Sequence, residues 1–371
     1  MTPYDLIAAV LPFIVMISFL VAVHEAGHYL AARAVGIVPV EFAVGMGPVL
    51  FSRPDARGCL WSVRAFPIGG FVKFKGDADG SSASGVEGLR AAVPADEHRG
   101  YYALRGPGAR AVVLAAGPLI NLALGWVLLV GLFMTVGYSV QPAVVEAVTP
   151  GGPAAAAGIE PGDRIVAMDG AGIERFRQVQ EAVALHPGRT FRVEVVRNGE
   201  PVVLDVTTDS VVQETYGQEQ TVGRLGVEAA PLVLQRLGPV DASRYAVATV
   251  VTTARLTATA IRQVVTGDRG LDGMGGPVRI GAMASEAVGM GFTVFVSLTA
   301  AVSMAIGLTN LLPIPVLDGG GLAICAVEAV RRKPLGERAM KAVHLTGIAA
   351  VGTLFVVLTV NDVMSLVGWG A

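Results

Sequence analysis

The sequence predicts a polytopic α-helical membrane protein with about four transmembrane helices, a membrane-dipping β-sheet and an inserted α+β domain. Hydrophobic residues make up 53% of its 371 residues and charged residues only 16%, whereas soluble proteins average roughly 25% charged residues. Four stretches without Asp, Glu, Lys or Arg each approach or exceed the ~17–20 residues that cross a bilayer. They are residues 6–23, 111–145, 287–317 and 345–361.

The first apolar stretch lies near the N-terminus, where a cleaved secretory signal is the alternative to a permanent helix. No Lys or Arg precedes it, it is long for a signal core, and it ends in residues suited to catalysis. We therefore expect a permanent span.

Charge and cysteine content exclude further classes. A net charge of −2 gives no support for a nucleic-acid partner. The two cysteines, Cys59 and Cys325, form neither a disulfide framework nor a metal-type pair.

Lys and Arg residues predict the orientation, because they accumulate in short cytoplasmic loops. Residues 32–110 carry ten of them and residues 318–342 carry five, whereas residues 1–5 and 362–371 carry none. Both termini and residues 138–286 are therefore expected outside. Spans one and three then run in the same direction, so polar residues near their carboxyl ends lie at one depth.

The connecting segments have distinct patterns. Residues 39–51 and 65–74 are typical of short strands and turns. They fit either a sheet that dips beside a site or a small cytoplasmic hairpin. Residues 76–99 are typical of a flexible loop, and residues 240–266 of an amphipathic helix on the membrane surface.

The external segment follows the order strand, Gly/Pro turn, short helix, strand and hairpin. Over residues 143–207 it resembles the PDZ domains of bacterial proteases, above all in GGPAAAAGIEPGDRIVAMDG. The strand Gly223–Val227 resembles the one that completes these permuted domains. The role of the domain is open between peptide binding, steric exclusion of uncleaved substrates and packing.

The predicted organisation divides the chain into eight parts. They are residues 1–31, the first transmembrane helix with HExxH; 32–110, a cytoplasmic segment with a membrane-reentrant sheet; 111–137, the second transmembrane helix; 138–231, the extracytoplasmic PDZ domain; 232–286, an amphipathic linking region; 287–317, the third transmembrane helix; 318–342, a cytoplasmic loop; and 343–366, the fourth transmembrane helix.

The first span ends in His24-Glu25-Ala26-Gly27-His28. In a helix, His24 and His28 share a face, so both imidazoles can bind one zinc ion while Glu25 acts as general base. Ionisable residues at a span's end are costly and usually functional. The alternative is a histidine pair that caps a helix near the headgroups.

A tetrahedral catalytic zinc needs a third protein ligand. After 31 uncharged residues, span three reaches Asp318 in the run NLLPIPVLDGG, where two prolines break the helix. Alone, Asp318 would be read as a helix cap. Its pairing in depth with the histidines favours a ligand.

Together, the HExxH motif, the NxxPxPxLDG run and the PDZ-like segment resemble the site-2 protease family of intramembrane zinc metalloproteases, particularly its bacterial regulators of sigma-factor signalling. The resemblance implies Zn2+ held by His24, His28 and Asp318. It also implies that Asn310 and Asn121 bind substrate and that Val44–Phe74 forms a sheet that clamps substrate as an added strand. For Asn121, an interhelical hydrogen bond is the alternative.

The chain departs from the family pattern in two places. Residues 138–231 accommodate one PDZ domain where close relatives often carry two. Gly321 stands where a histidine commonly follows LDGG, so any role of that histidine is missing.

The resemblance implies hydrolysis of peptide bonds within transmembrane segments, as in regulated intramembrane proteolysis of anti-sigma factors or signal-peptide remnants. Expected partners are the lipid bilayer and single-span substrates already trimmed by another protease. The expected location is the bacterial cytoplasmic (inner) membrane, with the site near the cytoplasmic side.

Two other classes compete with a protease. A PDZ-bearing scaffold or sensor with a structural metal site would have no use for Glu25 and would usually supply four protein ligands. A metal or proton transporter would need ionisable residues along several spans, and the centres of all four lack them.

Overall fold

The computed structural model describes residues 3–76, 85–184, 186–215, 218–266 and 275–367. The chain forms two compact units. The first combines Met1–Gly131 with Asp241–Ala371, and the second is Leu132–Val240.

Helices dominate the first unit. Four of the described helices contain stretches long and apolar enough to cross a membrane, which confirms the predicted number of candidate spans. These stretches are Val10–Val35, Pro107–Thr135, Phe292–Asn310 and Arg338–Met364. The helices are α1 (Pro3–Val35), α2 (Gly85–Ala92), α3 (Pro107–Thr135), which continues into the second unit, α6 (Pro239–Thr266), α7 (Pro277–Met290), α8 (Phe292–Asn310), α9 (Asp318–Arg331) and α10 (Glu337–Val367).

The candidate spans carry apolar side chains both on their exposed faces and where they pack against other helices. Val15 and Phe19 of α1 are 55% and 49% exposed, as expected of side chains that face lipid. On the neighbouring face, Met16 and Leu20 are buried against Ala284 of α7 and other apolar side chains. The chain is therefore built as a membrane protein, with one face of α1 committed to packing.

Two long strands follow α1, namely β1 (Pro39–Pro54) and β2 (Leu60–Phe74). They contain the two segments predicted to be strands. Phe42 of β1 is paired with Trp61 on one side and with Val72 on the other. The two ends of β2 therefore flank this part of β1. Gly70–Phe74 consequently forms an edge of this sheet. The sheet's position relative to a membrane stays a prediction.

Two predicted boundaries in the second half of the chain need correction. Span three was expected over residues 287–317, but α8 ends at Asn310 because Pro313 and Pro315 lie just beyond it. The expected cytoplasmic loop 318–342 contains α9, whose Cys325 and Glu328 share a buried face. Glu328 pairs with Arg110 of α3, so charge counting took a packed helix for a loop.

The expected flexible loop at residues 76–99 is also partly wrong. Gly85–Ala92 forms α2, which contains good helix formers such as Leu, Arg and Ala. Residues 77–84 lie outside the described part of the chain. The helix expected over residues 240–266 is present as α6, and its location on a membrane surface stays a prediction.

The second unit is an α+β domain around a four-stranded antiparallel sheet in the order β6-β5-β7-β8. Three two-stranded pairs, β4 with β11, β3 with β12 and β9 with β10, complete it. Its elements are β3 (Tyr138–Val140), β4 (Val145–Val148), α4 (Pro153–Ala156), β5 (Arg164–Met168), β6 (Ala171–Gly172), α5 (Phe176–Ala184), β7 (Thr190–Arg197), β8 (Glu200–Thr207), β9 (Asp209–Thr215), β10 (Gln218–Arg224), β11 (Val227–Ala229) and β12 (Val233–Gln235).

A polar cluster at the start of β5 fixes the turn that precedes it. Arg197 donates to both carboxylate oxygens of Asp163 at 2.8 and 2.7 Å, and the backbone N–H of Glu160 adds a third bond. Burial would raise the pKa of Asp163, but these bonds lower it overall.

The strand expected at Gly223–Val227 is interrupted, and β11 instead pairs with β4.

Candidate metal centre

The two histidines of α1 form one half of the site. They are four residues apart on a continuous helix, so their side chains project from the same face. Nε2 of His24 lies 3.2 Å from Nε2 of His28, and both residues are only 8% exposed. Two imidazoles therefore point the same ring nitrogen at one buried spot.

Asp318 supplies the other half from the first turn of α9. Its Oδ2 lies 3.1 Å from Nε2 of His24, and its Oδ1 lies 3.4 Å from Nε2 of His28. Among the residues that the structure describes, this is the only group of three or more His, Cys, Asp or Glu side chains with converging ligand atoms.

The chain break between α8 and α9 puts Asp318 there. The break is tight: a Cβ on Gly319 would lie 2.1 Å from the Leu312 carbonyl oxygen, and one on Gly320 would lie 2.3 Å from that of Ile314. Val316 has a φ of 82°, an unfavourable value for a β-branched residue. Such strain persists only where the surroundings impose it, and it is common at functional sites.

The donor set fits a zinc ion. Two ligands about 2.1 Å from a tetrahedral zinc lie roughly 3.4 Å apart, close to the observed separations among these donors. In the described part of the chain, the buried Asp318 Oδ2 has no hydrogen-bond partner, although His24 Nε2 is nearby. Two imidazole nitrogens and a carboxylate oxygen are typical ligands of catalytic zinc.

Glu25 faces the edge of the sheet. The backbone of Val72 in β2 lies beside its carboxylate. A Cβ on Gly70 would lie 3.4 Å from Glu25 Cγ and 2.8 Å from the Ala43 carbonyl oxygen. The absence of a side chain at Gly70 lets β2 approach the carboxylate closely.

Helix α3 forms the wall behind the histidines. His28 donates from Nδ1 to the Val113 carbonyl oxygen at 2.8 Å. One turn further along α3, a Cβ on Gly117 would lie 2.4 Å from His28 Nε2 and 2.9 Å from His24 Cε1. Both rings therefore pack against bare backbone.

The predicted site residues separate into two groups. His24, His28 and Asp318 lie together, with Glu25 next in sequence, and coordination of zinc by the first three stays a prediction. Asn121 is fully buried, and its amide nitrogen lies 3.5 Å from His24 Nδ1. The Asn310 amide donates to the Ile306 carbonyl within its own helix. Substrate binding by either asparagine also stays a prediction.

Gly117, Gly70 and the Val113 carbonyl were missed as site residues by the sequence reasoning. Sequence signals existed for Gly117, which lies in the run Gly-Pro-Leu-Ile-Asn of span two, and for Gly70, which lies in the stretch Val44–Phe74 assigned to the sheet. The Val113 contact, and the closeness of Gly70 to Glu25, depend on how helices and sheet pack.

Comparison with known proteins agrees with this chemistry. The model of peptidase family M50 matches residues 12–354. The chain is 36% identical to a protein of Agrobacterium fabrum whose name includes the words zinc metalloprotease, over 97% of this chain and 96% of the relative. It is 32% identical to metalloprotease MmpA of Caulobacter vibrioides, over 94% and 93% of the two chains. It is 29% identical to zinc metalloprotease RasP of Geobacillus kaustophilus, over 97% and 98%.

The chain therefore belongs to peptidase family M50. It is a zinc-dependent metalloprotease with the composition and helices of a membrane protein. Family membership thus favours an enzyme over the scaffold and transporter alternatives.

We predict that Gly117→Ala lowers proteolytic activity about 10²-fold, because the new methyl group displaces both imidazoles from their common focus. Zinc content of the purified protein should fall as well. Gly131→Ala on the same helix is the matched control, since a Cβ there meets no atom within 4 Å. Equal activity and zinc content in the two variants would contradict the packing described for Gly117.

Proposed function

We propose that this metalloprotease hydrolyses peptide bonds within the membrane, in transmembrane segments of single-span proteins. The observation that carries the proposal is the position of the HExxH motif. His24, Glu25 and His28 lie within the candidate membrane span Val10–Val35. A site on such a helix is suited to substrates that themselves lie in the membrane.

Each polar side chain of the site has an assigned task in this proposal. His24, His28 and Asp318 hold the ion. When bound, zinc polarises a scissile carbonyl and makes a water molecule a stronger acid. Glu25 takes a proton from that water and later delivers it to the leaving nitrogen. The backbone of Val72 borders the carboxylate of Glu25.

Substrate entry requires an unwound segment, because a transmembrane helix has its carbonyl groups tied up in hydrogen bonds. The edge Gly70–Phe74 of the sheet runs beside Glu25. An extended substrate that adds to this edge as a further strand would be held open by main-chain bonds. Main-chain binding of this kind would make cleavage depend only weakly on substrate sequence. The exposed apolar residues Leu50, Phe51 and Phe66 of the hairpin favour contact with lipid or substrate.

For residues 138–231 we propose a PDZ domain that excludes bulky substrates. The order β4, turn, α4, β5 and the hairpin β7–β8 supports this assignment. In the sequence it separates span two from the segment that leads to Asp318. Regulated proteolysis of anti-sigma factors or signal-peptide remnants would then follow trimming of the substrate by another protease.

The proposal is tested by co-expression with single-span membrane proteins in full-length and trimmed forms. The wild type should shorten the trimmed form only. Glu25→Gln should retain zinc but lose roughly 10²-fold or more in rate, the scale of general acid–base catalysis. Glu181→Gln, at an exposed glutamate of α5, is the matched control. Undiminished cleavage by Glu25→Gln would remove Glu25 from the mechanism, and equal cutting of full-length substrates would refute the exclusion role.

The proposed location is the bacterial inner membrane, with both termini and the PDZ domain outside and the site near the cytoplasmic side. Cysteine labelling in intact cells tests this orientation. Exposed Ala171 and Lys333 are suitable positions, and the native Cys59 and Cys325 are buried. We expect an impermeant thiol reagent to label Ala171→Cys at once and Lys333→Cys only after lysis. The reverse pattern would invert the topology.

A further inference from the structure

Three residues of α3, spaced four apart, face the histidine pair of α1. The Val113 carbonyl bonds Nδ1 of His28, Gly117 lies flat against both rings, and Asn121 lies beside His24. Because residues four apart share a helix face, this is one continuous stripe. The stripe and the histidine pair are antiparallel: Val113 faces His28, and Asn121, further along α3, faces His24.

The side chain of Asn121 has no other evident task. It is 0% exposed, so a substrate cannot reach it without rearrangement. Its hydrogen bond with α8 uses the main chain, since Ser303 donates to the Asn121 backbone oxygen at 2.8 Å. Within the described residues, the amide oxygen Oδ1 is buried and has no hydrogen-bond partner. A buried unpaired acceptor is costly and calls for an explanation.

The tautomer of His24 supplies that explanation. Both histidines direct Nε2 toward Asp318, so a metal bound there requires Nε2 without a proton and Nδ1 with one. For His28, the Val113 carbonyl accepts the Nδ1 proton. For His24, the group beside Nδ1 is the Asn121 amide, 3.5 Å away.

An amide can present either its oxygen or its nitrogen by a half-turn about its last bond, and the hydrogen-bond network decides which. With the nitrogen toward His24 Nδ1, the imidazole proton is forced onto Nε2, the atom that faces the metal site. With the oxygen toward Nδ1, the otherwise unpaired acceptor Oδ1 gains a donor, and Nε2 is free to bind metal.

We propose that Asn121 is a positioning residue whose Oδ1 accepts a hydrogen bond from Nδ1 of His24. It thereby fixes the tautomer and the ring orientation of His24, as the Val113 carbonyl does for His28. This role differs from substrate binding. The inference rests on His24 being a zinc ligand, as the proposed function has it.

The test compares zinc affinities of full-length purified variants by competition with a chromophoric chelator. Asn121→Leu keeps the volume and removes the acceptor, and it should weaken zinc binding about 10- to 100-fold, the usual effect of losing such a partner. Asn121→Asp keeps an acceptor oxygen and should bind within a few-fold of wild type. Ser303→Ala, which removes the neighbouring interhelical bond, should leave zinc affinity unchanged.

His24→Ala separates the two ways in which the idea can fail. If His24→Ala retains zinc, the ligand assignment of the proposed function is wrong. If His24→Ala loses zinc while Asn121→Leu binds it like wild type, the role of Asn121 is wrong. Should Asn121→Leu fail to fold, ¹⁵N spectra of histidine-labelled, metal-free wild type with neutral imidazoles decide the question, because bound zinc would by itself place the proton on Nδ1. A proton on Nδ1 of His24 supports the proposal, and a proton on Nε2 overturns it.

Discussion

The structure of the first unit depends on bringing one carboxylate to two imidazoles inside a bundle of apolar helices. Buried ionisable groups are costly unless they are paired or coordinate a metal, so His24, His28 and Asp318 need one another or an ion. Since Asp318 belongs to a helix far along the chain, the requirement fixes the end of α8, the start of α9 and the position of both against α1. The strained Val316 and the closely packed Gly319 lie in the segment that satisfies it.

Small residues then set the distances around the site. Gly27 of α1 lies against the backbone of α3, where a Cβ would be 2.6 Å from the Ala116 carbonyl oxygen. On α3, Gly117 lies against the imidazoles of His28 and His24, so a glycine on each helix allows α1 and α3 to approach closely. This close approach brings the Val113 carbonyl and Asn121 within reach of the imidazoles. On the other side of α1, Gly70 allows β2 to approach Glu25, so glycine backbone borders the site on both sides.

The candidate spans and three of the site residues could be predicted, because they follow from local patterns in the sequence. Uncharged stretches mark candidate spans, the spacing of His24 and His28 marks a shared helix face, and charge counting aligns Asp318 with them. Helix α9 was missed because its charged residues are typical of a cytoplasmic loop. In the structure, Glu328 is buried and pairs with Arg110. Of the stripe on α3, Asn121 was named from the sequence, but the contacts of the Val113 carbonyl and Gly117 with the imidazoles were not, because they depend on how α1 and α3 pack together.

The central claim is that residue 318 completes a zinc site with the two histidines. X-ray absorption at the zinc edge of the purified Asp318→Cys variant tests it most directly, because a thiolate ligand adds a sulfur neighbour at about 2.3 Å. The account predicts that sulfur signal in the zinc-loaded variant, against only nitrogen and oxygen neighbours in wild type, whose native Cys59 and Cys325 lie outside the donor cluster. A zinc-loaded variant with nitrogen and oxygen neighbours alone would contradict it.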